Sequence, residues 1–155
     1  MRIRDVIIPV DFSAGSVRAI EFAVSLMPDG GEIDLLHVID EHFIDRIAAV
    51  GLGTLSHVTE VLRNRAEEQL PKLAATFARD DLEINTMVVV GKPFVEIIRL
   101  AHELDFQMIV MGTHGRHIET IEQALFGTTV ERVLRATRRP VLCVPYFEST
   151  ETPEV

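Results

Sequence analysis

Five short runs of β-branched and aliphatic residues recur along the chain, at Val6–Val10, Ile33–Ile39, Ile84–Val90, Met108–Met111 and Val141–Val144, with segments of helical period between them. Several runs are apolar at successive positions rather than alternating, the pattern of strands buried on both faces of a parallel sheet. In the first intervening segment, Ala19, Phe22, Ala23 and Leu26 form one apolar stripe on a helix of about Ser16–Met27. Val58, Leu62, Ala66, Leu70, Leu73 and Phe77 place a stripe on a longer helix. Pro71 falls inside that stripe, where a missing amide and a ring clash cost ~3 kcal/mol, so a kink or two helices end to end are expected. A third helix begins near Pro93, a residue suited to a first turn, and carries Phe94, Ile97, Ile98 and Ala101. The last runs from about Thr128 to Thr137 with Val130, Val133 and Leu134 inside. Arg135, Arg138 and Arg139 gather at its negative pole before Pro140 stops it.

The resulting order βαβαβαβαβ predicts an α/β, Rossmann-like fold. Right-handed crossovers place helices on both faces of an open five-stranded parallel sheet. At 155 residues this is one domain, expected over 1–147, followed by a polar, acidic and flexible tail over 148–155. The chain has 24 acidic against 15 basic side chains, a net charge of −9. That balance argues against nucleic acid or anionic membrane as partners, because both are held by Lys and Arg. A small anion remains compatible, since backbone amides bind phosphate without net positive charge. Cys143 is the single cysteine, excluding an internal disulfide and a Cys-built metal centre. It lies in an apolar run and reads as a packed thiol. Pro9 and Asp11 interrupt the first apolar run, so no signal peptide is read there, and no stretch reaches the ~18 apolar residues of a membrane helix. A cytoplasmic protein is expected.

Sheets of this kind bind ligands outside the carboxyl ends of their strands, where the winding reverses. After the first strand come Pro9, Val10, Asp11, Phe12 and Ser13. Asp11 suits a ribose hydroxyl or an adenine amine, and equally suits capping of the next helix. After the second strand, 40–56 is long for a βα connection and contains Gly51 and Gly53, which predicts a lid, a binding loop or a surface loop with a helical turn. After the fourth strand comes Gly112-Thr113-His114-Gly115-Arg116, and eleven residues later Gly127-Thr128-Thr129. Amides at Gly112–Gly115 and at Gly127–Thr129 could grip a phosphate chain from both ends, with Arg116 adding a charged contact. A glycine turn and an ordinary Thr cap explain the same residues. His114 and His117 are spaced i, i+3 with no third ligand in view, so a phosphate loop or an exposed position outweighs a metal site. His37, within a buried-strand pattern, reads as a hydrogen-bonded structural histidine.

Six pieces taken together carry a resemblance. They are Ile7-Ile8-Pro9-Val10-Asp11-Phe12-Ser13, Leu35-Leu36-His37-Val38-Ile39-Asp40, Gly91-Lys92-Pro93, Ile109 through Arg116, Gly127 through Leu134, and Arg139 through Val144. The chain resembles the nucleotide-binding branch of the universal stress protein family over nearly its whole length. The resemblance implies strand order 3-2-1-4-5 and an adenine-nucleotide site. Pro9, Val10, Asp11 and Phe12 would face the adenosine, and Val38 would contact adenine through its backbone. Met111 and Gly112 would line the ribose side, while His114, Gly115, Arg116, Gly127, Thr128 and Thr129 would surround phosphates. It implies ATP or ADP, with Mg²⁺ accompanying the phosphates, and a homodimer formed through Val141–Val144. The family's ATP pattern sets nine residues between G-x-x-G and G-[ST], whereas eleven stand here, among them Glu119 and Glu122. The implied function is a stress-response regulatory module working by nucleotide-dependent conformational change. A slow ATP hydrolase, or a dimerisation module that has lost nucleotide, are the alternatives.

Overall fold

The computed structural model describes residues 2–113 and 127–146. Five strands, β1 (Asp5–Pro9), β2 (Gly31–Asp40), β3 (Leu82–Gly91), β4 (Met108–Gly112) and β5 (Val141–Val144), form one sheet in the order β3-β2-β1-β4-β5. All neighbours run parallel, with Val6 beside Ile33 and Met108, Asp34 beside Asn85, and Met111 beside Cys143. The helices are α1 (Ala14–Leu26), α2 (Glu41–Ala49), α3 (Leu55–Thr76), α4 (Pro93–Glu103) and α5 (Thr128–Ala136).

Alternation of side chains along each strand divides the core in two. Val6, Ile8, Ile33, Leu35 and Val110 face α1 and α3, meeting Ala19, Ile20, Ala23, Leu70 and Ala74. Ile7, Leu36, Ile109 and Met111 face α4 and α5, meeting Ile97, Leu100, Ala101, Val130 and Val133. Helices therefore cover both faces, as expected. Winding proceeds outward from β1 to β3, then crosses to β4 on the far side of β1. The crevice of such a sheet opens at the carboxyl ends of β1 and β4.

Several local expectations change. Leu26 and Leu134 are 56% and 43% exposed, so the stripe of α1 is Ser16, Ala19, Ile20 and Ala23 instead, and α5 buries Val130 and Val133. α3 runs unbroken through Pro71 for 22 residues, so two separate helices do not form. Pro71 and Glu67, whose carbonyl loses its i+4 amide, are both exposed, and water can satisfy that carbonyl. Within the stretch 40–56, Glu41–Ala49 is a regular helix and not a loop, started by Asp40, whose Oδ1 accepts from the His42 amide at 2.9 Å. α1 has no basic residue in its last turn. Arg79, beyond α3, serves that end by donating to the Val24 and Met27 carbonyls at 2.7 and 3.3 Å while paired with Asp81. That pairing holds the Asp81 carboxyl well below the usual carboxylate range.

Asp34 sits in β2 on the α4 side, 8% exposed, with Oδ1 lacking a hydrogen-bond partner among the described residues. Burial raises its pKa above 3.8; the Asn85 side chain opposes this and Glu83 adds to it. Neighbouring Glu32 is raised too, by burial first and then by Asp34, Glu83 and Asp5. An acid with a raised folded pKa destabilises the fold above that pKa, and the penalty vanishes as pH falls through the unfolded value. Asp34→Asn is therefore expected to stabilise by about 1 kcal/mol at pH 7, or ~3 °C in Tm, with the gain fading below about pH 4. Thermal melts of both chains at pH 7 and pH 4 check this, and an unchanged Tm at pH 7 contradicts it.

Candidate functional site

A cleft of about 440 Å³ opens at the carboxyl ends of the strands. Its floor begins at β1. The Val10 amide donates to the Leu36 carbonyl at 2.8 Å, extending the β1–β2 ladder by one residue. Phe12 then takes a left-handed conformation, φ 63°, unusual for a residue with a bulky side chain. Its ring lies tilted on His37 with centroids 4.8 Å apart. His37 Nδ1 is 2.6 Å from the Val10 carbonyl, and since a carbonyl only accepts, Nδ1 carries the proton. His37 is thus hydrogen-bonded as expected, and it also lines the cleft.

Asp11 reaches the cleft while one of its oxygens accepts from the Ser13 amide at 2.9 Å and from the Ser13 hydroxyl. Ser13, in turn, is the N-cap of α1, accepting from the Ser16 amide at 3.2 Å. The two readings of Asp11 are therefore compatible: it orients the cap through Ser13 and still presents its carboxylate to the cleft.

On the α4–α5 side, Leu36, Val38, Pro93, Ile97 and Met111 make an apolar wall. Pro93 opens α4 as its first residue, which places Ile97 one turn down against the wall. Gly112 lines the cleft too, but its missing side chain has an internal reason. A Cβ there would stand 2.9 Å from the Gly15 carbonyl oxygen, so bare Cα is what lets β4 meet the first turn of α1.

On the same side, next to that wall, α5 begins. Gly127 is its N-cap and offers no side chain to the helix amides. The Gly127 amide is itself used, donating to the Thr113 carbonyl at 2.7 Å. Thr128, Thr129 and Val130 all line the cleft at the helix start, and the amides of a helix's first turn have no intrahelical acceptor. With the positive end of the dipole, they suit an anion chemically.

Of the residues expected from sequence, Pro9, Val10, Asp11, Phe12, Val38, Met111, Gly112, Gly127, Thr128 and Thr129 line this one cleft. His114, Gly115 and Arg116 lie outside the described residues, as do His117, Glu119, Glu122 and the tail 148–155. Sequence reasoning missed the wall supplied by α2 and α3, where Phe43, Arg46, Arg65 and Gln69 face the cleft. The spacing of Leu62, Ala66 and Gln69 marks one helix face, but periodicity does not say which strand end that face overlooks. Among the described residues, no group of three or more His, Cys, Asp or Glu is placed to hold a metal, and no helix is long and apolar enough to cross a membrane. A second depression of about 380 Å³, between the end of α3 and β3, is lined by Pro71, alanines, Leu82, Ile84 and Thr86 and carries no charged group.

Comparison with known proteins agrees with this architecture. The model of the universal stress protein family matches residues 2–145. Universal stress protein G of Escherichia coli O157:H7 is 31% identical over 146 residues, 91% of this chain and 98% of its own. The solved structure of MJ0577 superposes with a TM-score of 0.82 at 25% identity, over 96% of this chain and 100% of the other. Universal stress protein structures in complex with cAMP, from Archaeoglobus fulgidus with dAMP, and from Arabidopsis thaliana with AMP share the fold. Their TM-scores are 0.60, 0.58 and 0.53 at 21, 20 and 18% identity, over 94, 92 and 96% of this chain and 98, 98 and 94% of theirs. With the same sheet order and a family match spanning nearly every described residue, this chain belongs to the universal stress protein family.

Proposed function

We propose that the cleft binds an adenine nucleotide, ATP or ADP with Mg²⁺ on the phosphates, and that the chain is a regulatory module whose surface responds to that nucleotide. One observation carries this reading: an apolar wall made by Leu36, Val38, Ile97 and Met111 shares a single cleft with the bare amides that start α5. The wall suits a flat base, and the amides suit a phosphate. Asp11 stands at the end of β1, where a ribose hydroxyl or an exocyclic amine can donate to it. The adenine nucleotides held by three solved members of the family support the choice of base. A regulatory role suits Asp11, whose carboxylate is engaged with Ser13 and holds the start of α1, so that ligand contact there is felt by a helix. β5 is the outer strand of the sheet, with β4 on one side. We propose that Val141–Val144 pairs with the same strand of a second copy, which would protect an apolar edge.

Titration calorimetry of the full chain with AMP, ADP and ATP, with and without Mg²⁺, tests the ligand. Saturable binding of at least one is the expected result, and absence of heat together with an unchanged melting temperature for all three overturns the reading. Light scattering of the eluting protein gives the oligomeric state.

A further inference from the structure

Six of the twelve described arginines are neutralised locally. Arg18, Arg63, Arg79, Arg99, Arg135 and Arg139 each have a carboxylate within 4.0 Å, such as Glu21 at 2.7 Å from Arg18. The other six have no carboxylate that close among the described residues, and of these only Arg46 of α2 and Arg65 of α3 line the cleft. Among the described residues neither has a carboxylate partner, and the Arg46 guanidinium lies 6.0 Å from the centre of the Phe43 ring. Both line the cleft. Their helices are brought together by a small core of Ile39, Ile44 and Val58, which packs α2 against the first half of α3 over the end of β2. Two arginines without carboxylate partners on one cleft suit an anion there. The cleft's own acids are already engaged, Asp11 with Ser13 and Asp40 with the His42 amide.

Position gives the charge its meaning. Arg65 and its neighbours Ala66 and Gln69 overlook the sheet face of α1 and α3, where Phe12 and His37 stack. The amides of Thr128–Val130 start α5 on the opposite face. The cleft thus has an anion-binding point on each side of the strand ends, whereas a 5′-mononucleotide carries its charge at one end. Phe43, 42% exposed and lining the same side, offers a flat surface backed by the Arg46 cation.

We propose that the cleft takes a linear adenine dinucleotide bearing a 5′-phosphate. The terminal phosphate meets the α5 amides, and the first nucleoside lies over the strand ends. The internucleotide phosphodiester reaches Arg46 and Arg65, and the second base stacks on Phe43. This assignment rests on the adenine-nucleotide reading of the same cleft and extends it to ligand length.

The test compares AMP with 5′-phosphorylated diadenylate (pApA) by calorimetry on the full chain and on the double variant Arg46→Ala/Arg65→Ala. Both arginines are exposed, so the variant should fold, and a thermal melt verifies it. The wild type is expected to bind pApA ~10-fold more tightly than AMP, a margin set by charge-assisted contacts. The double variant is expected to lose that margin while its AMP affinity stays within about 2-fold, because the margin alone depends on charged contacts beyond the first nucleoside. Equal wild-type affinity for the two ligands, or a margin that survives the double substitution, overturns the dinucleotide assignment and leaves the nucleotide reading standing. Failure of the wild type to bind either ligand overturns both.

Discussion

Gly127→Glu is expected to abolish nucleotide binding and leave the fold intact. Gly127 has φ −61° and ψ 152°, an extended conformation open to any L-residue, so the backbone does not resist substitution. A glutamate side chain at this N-cap arrives beside the amides of Thr128, Thr129 and Val130 and occupies the anion-binding point with a carboxylate of its own. Two like charges about 4 Å apart at a protein surface repel by ~4 kcal/mol before salt screening, so a loss of ~100-fold or more in ADP affinity is the expected outcome. The helix itself should not suffer, because an acidic group near a helix start is favourable. Calorimetry with ADP reads the affinity, and circular dichroism with a thermal melt reads the fold. Gly127→Ala adds bulk without charge and should lose far less. If the glutamate variant bound ADP as the wild type does, the phosphate would have to lie elsewhere than at the start of α5.

Gly112→Val is expected to produce the largest loss of stability, for a reason found in packing and not in the ligand. Its Cβ would sit 2.9 Å from the Gly15 carbonyl oxygen and 3.0 Å from the Gly15 carbonyl carbon. Both are backbone atoms within the first turn of α1, so no side chain can rotate away. Relief requires α1 or the end of β4 to move, and both elements border the cleft. Overpacking of this kind costs about 3 kcal/mol, which for a chain of this length lowers Tm by roughly 6–12 °C. Nucleotide affinity should fall with it, since the movement displaces the Phe12–Ser16 segment. Gly112→Ala should show the same sign at smaller size. A valine variant that melts with the wild type would contradict the close approach of β4 and α1.

Elements of this fold were legible wherever local pattern carries the information. The five apolar runs became five strands, and Pro93 opened α4 at the residue where its ring geometry suits a first turn. α2 was less legible because its apolar positions Phe43, Ile44, Ile47 and Ala48 span barely two turns, too short a stretch to separate a helix from a loop with a helical turn. Leu26 and Leu134 misled for the converse reason: each is apolar and near the right spacing, yet stands at the margin of its helix's buried face. Gly112 was noticed as a glycine at the end of a strand and Gly127 as one opening the last helix. Neither the Gly15 carbonyl that requires the first nor the Thr113 carbonyl that takes the amide of the second is visible along the chain.

Periodicity alone, together with the fixed hand of parallel crossovers, determined an α/β chain with a parallel sheet and helices on both faces, and pointed to the strand ends as the place to look for a ligand. Strand order came from the family resemblance of the segments at those ends. The tertiary structure decided which helix faces overlook the crevice. It set Arg46, Arg65 and Phe43 on one side, the amides of Thr128–Val130 on the other, and Asp11 between Ser13 and the cleft. The physical reason is range. Hydrophobic period and turn chemistry act over a few residues, while these placements depend on contacts such as Ile39 with Ile44 and Val58, or Gly15 with Gly112, that exist only once the sheet has assembled.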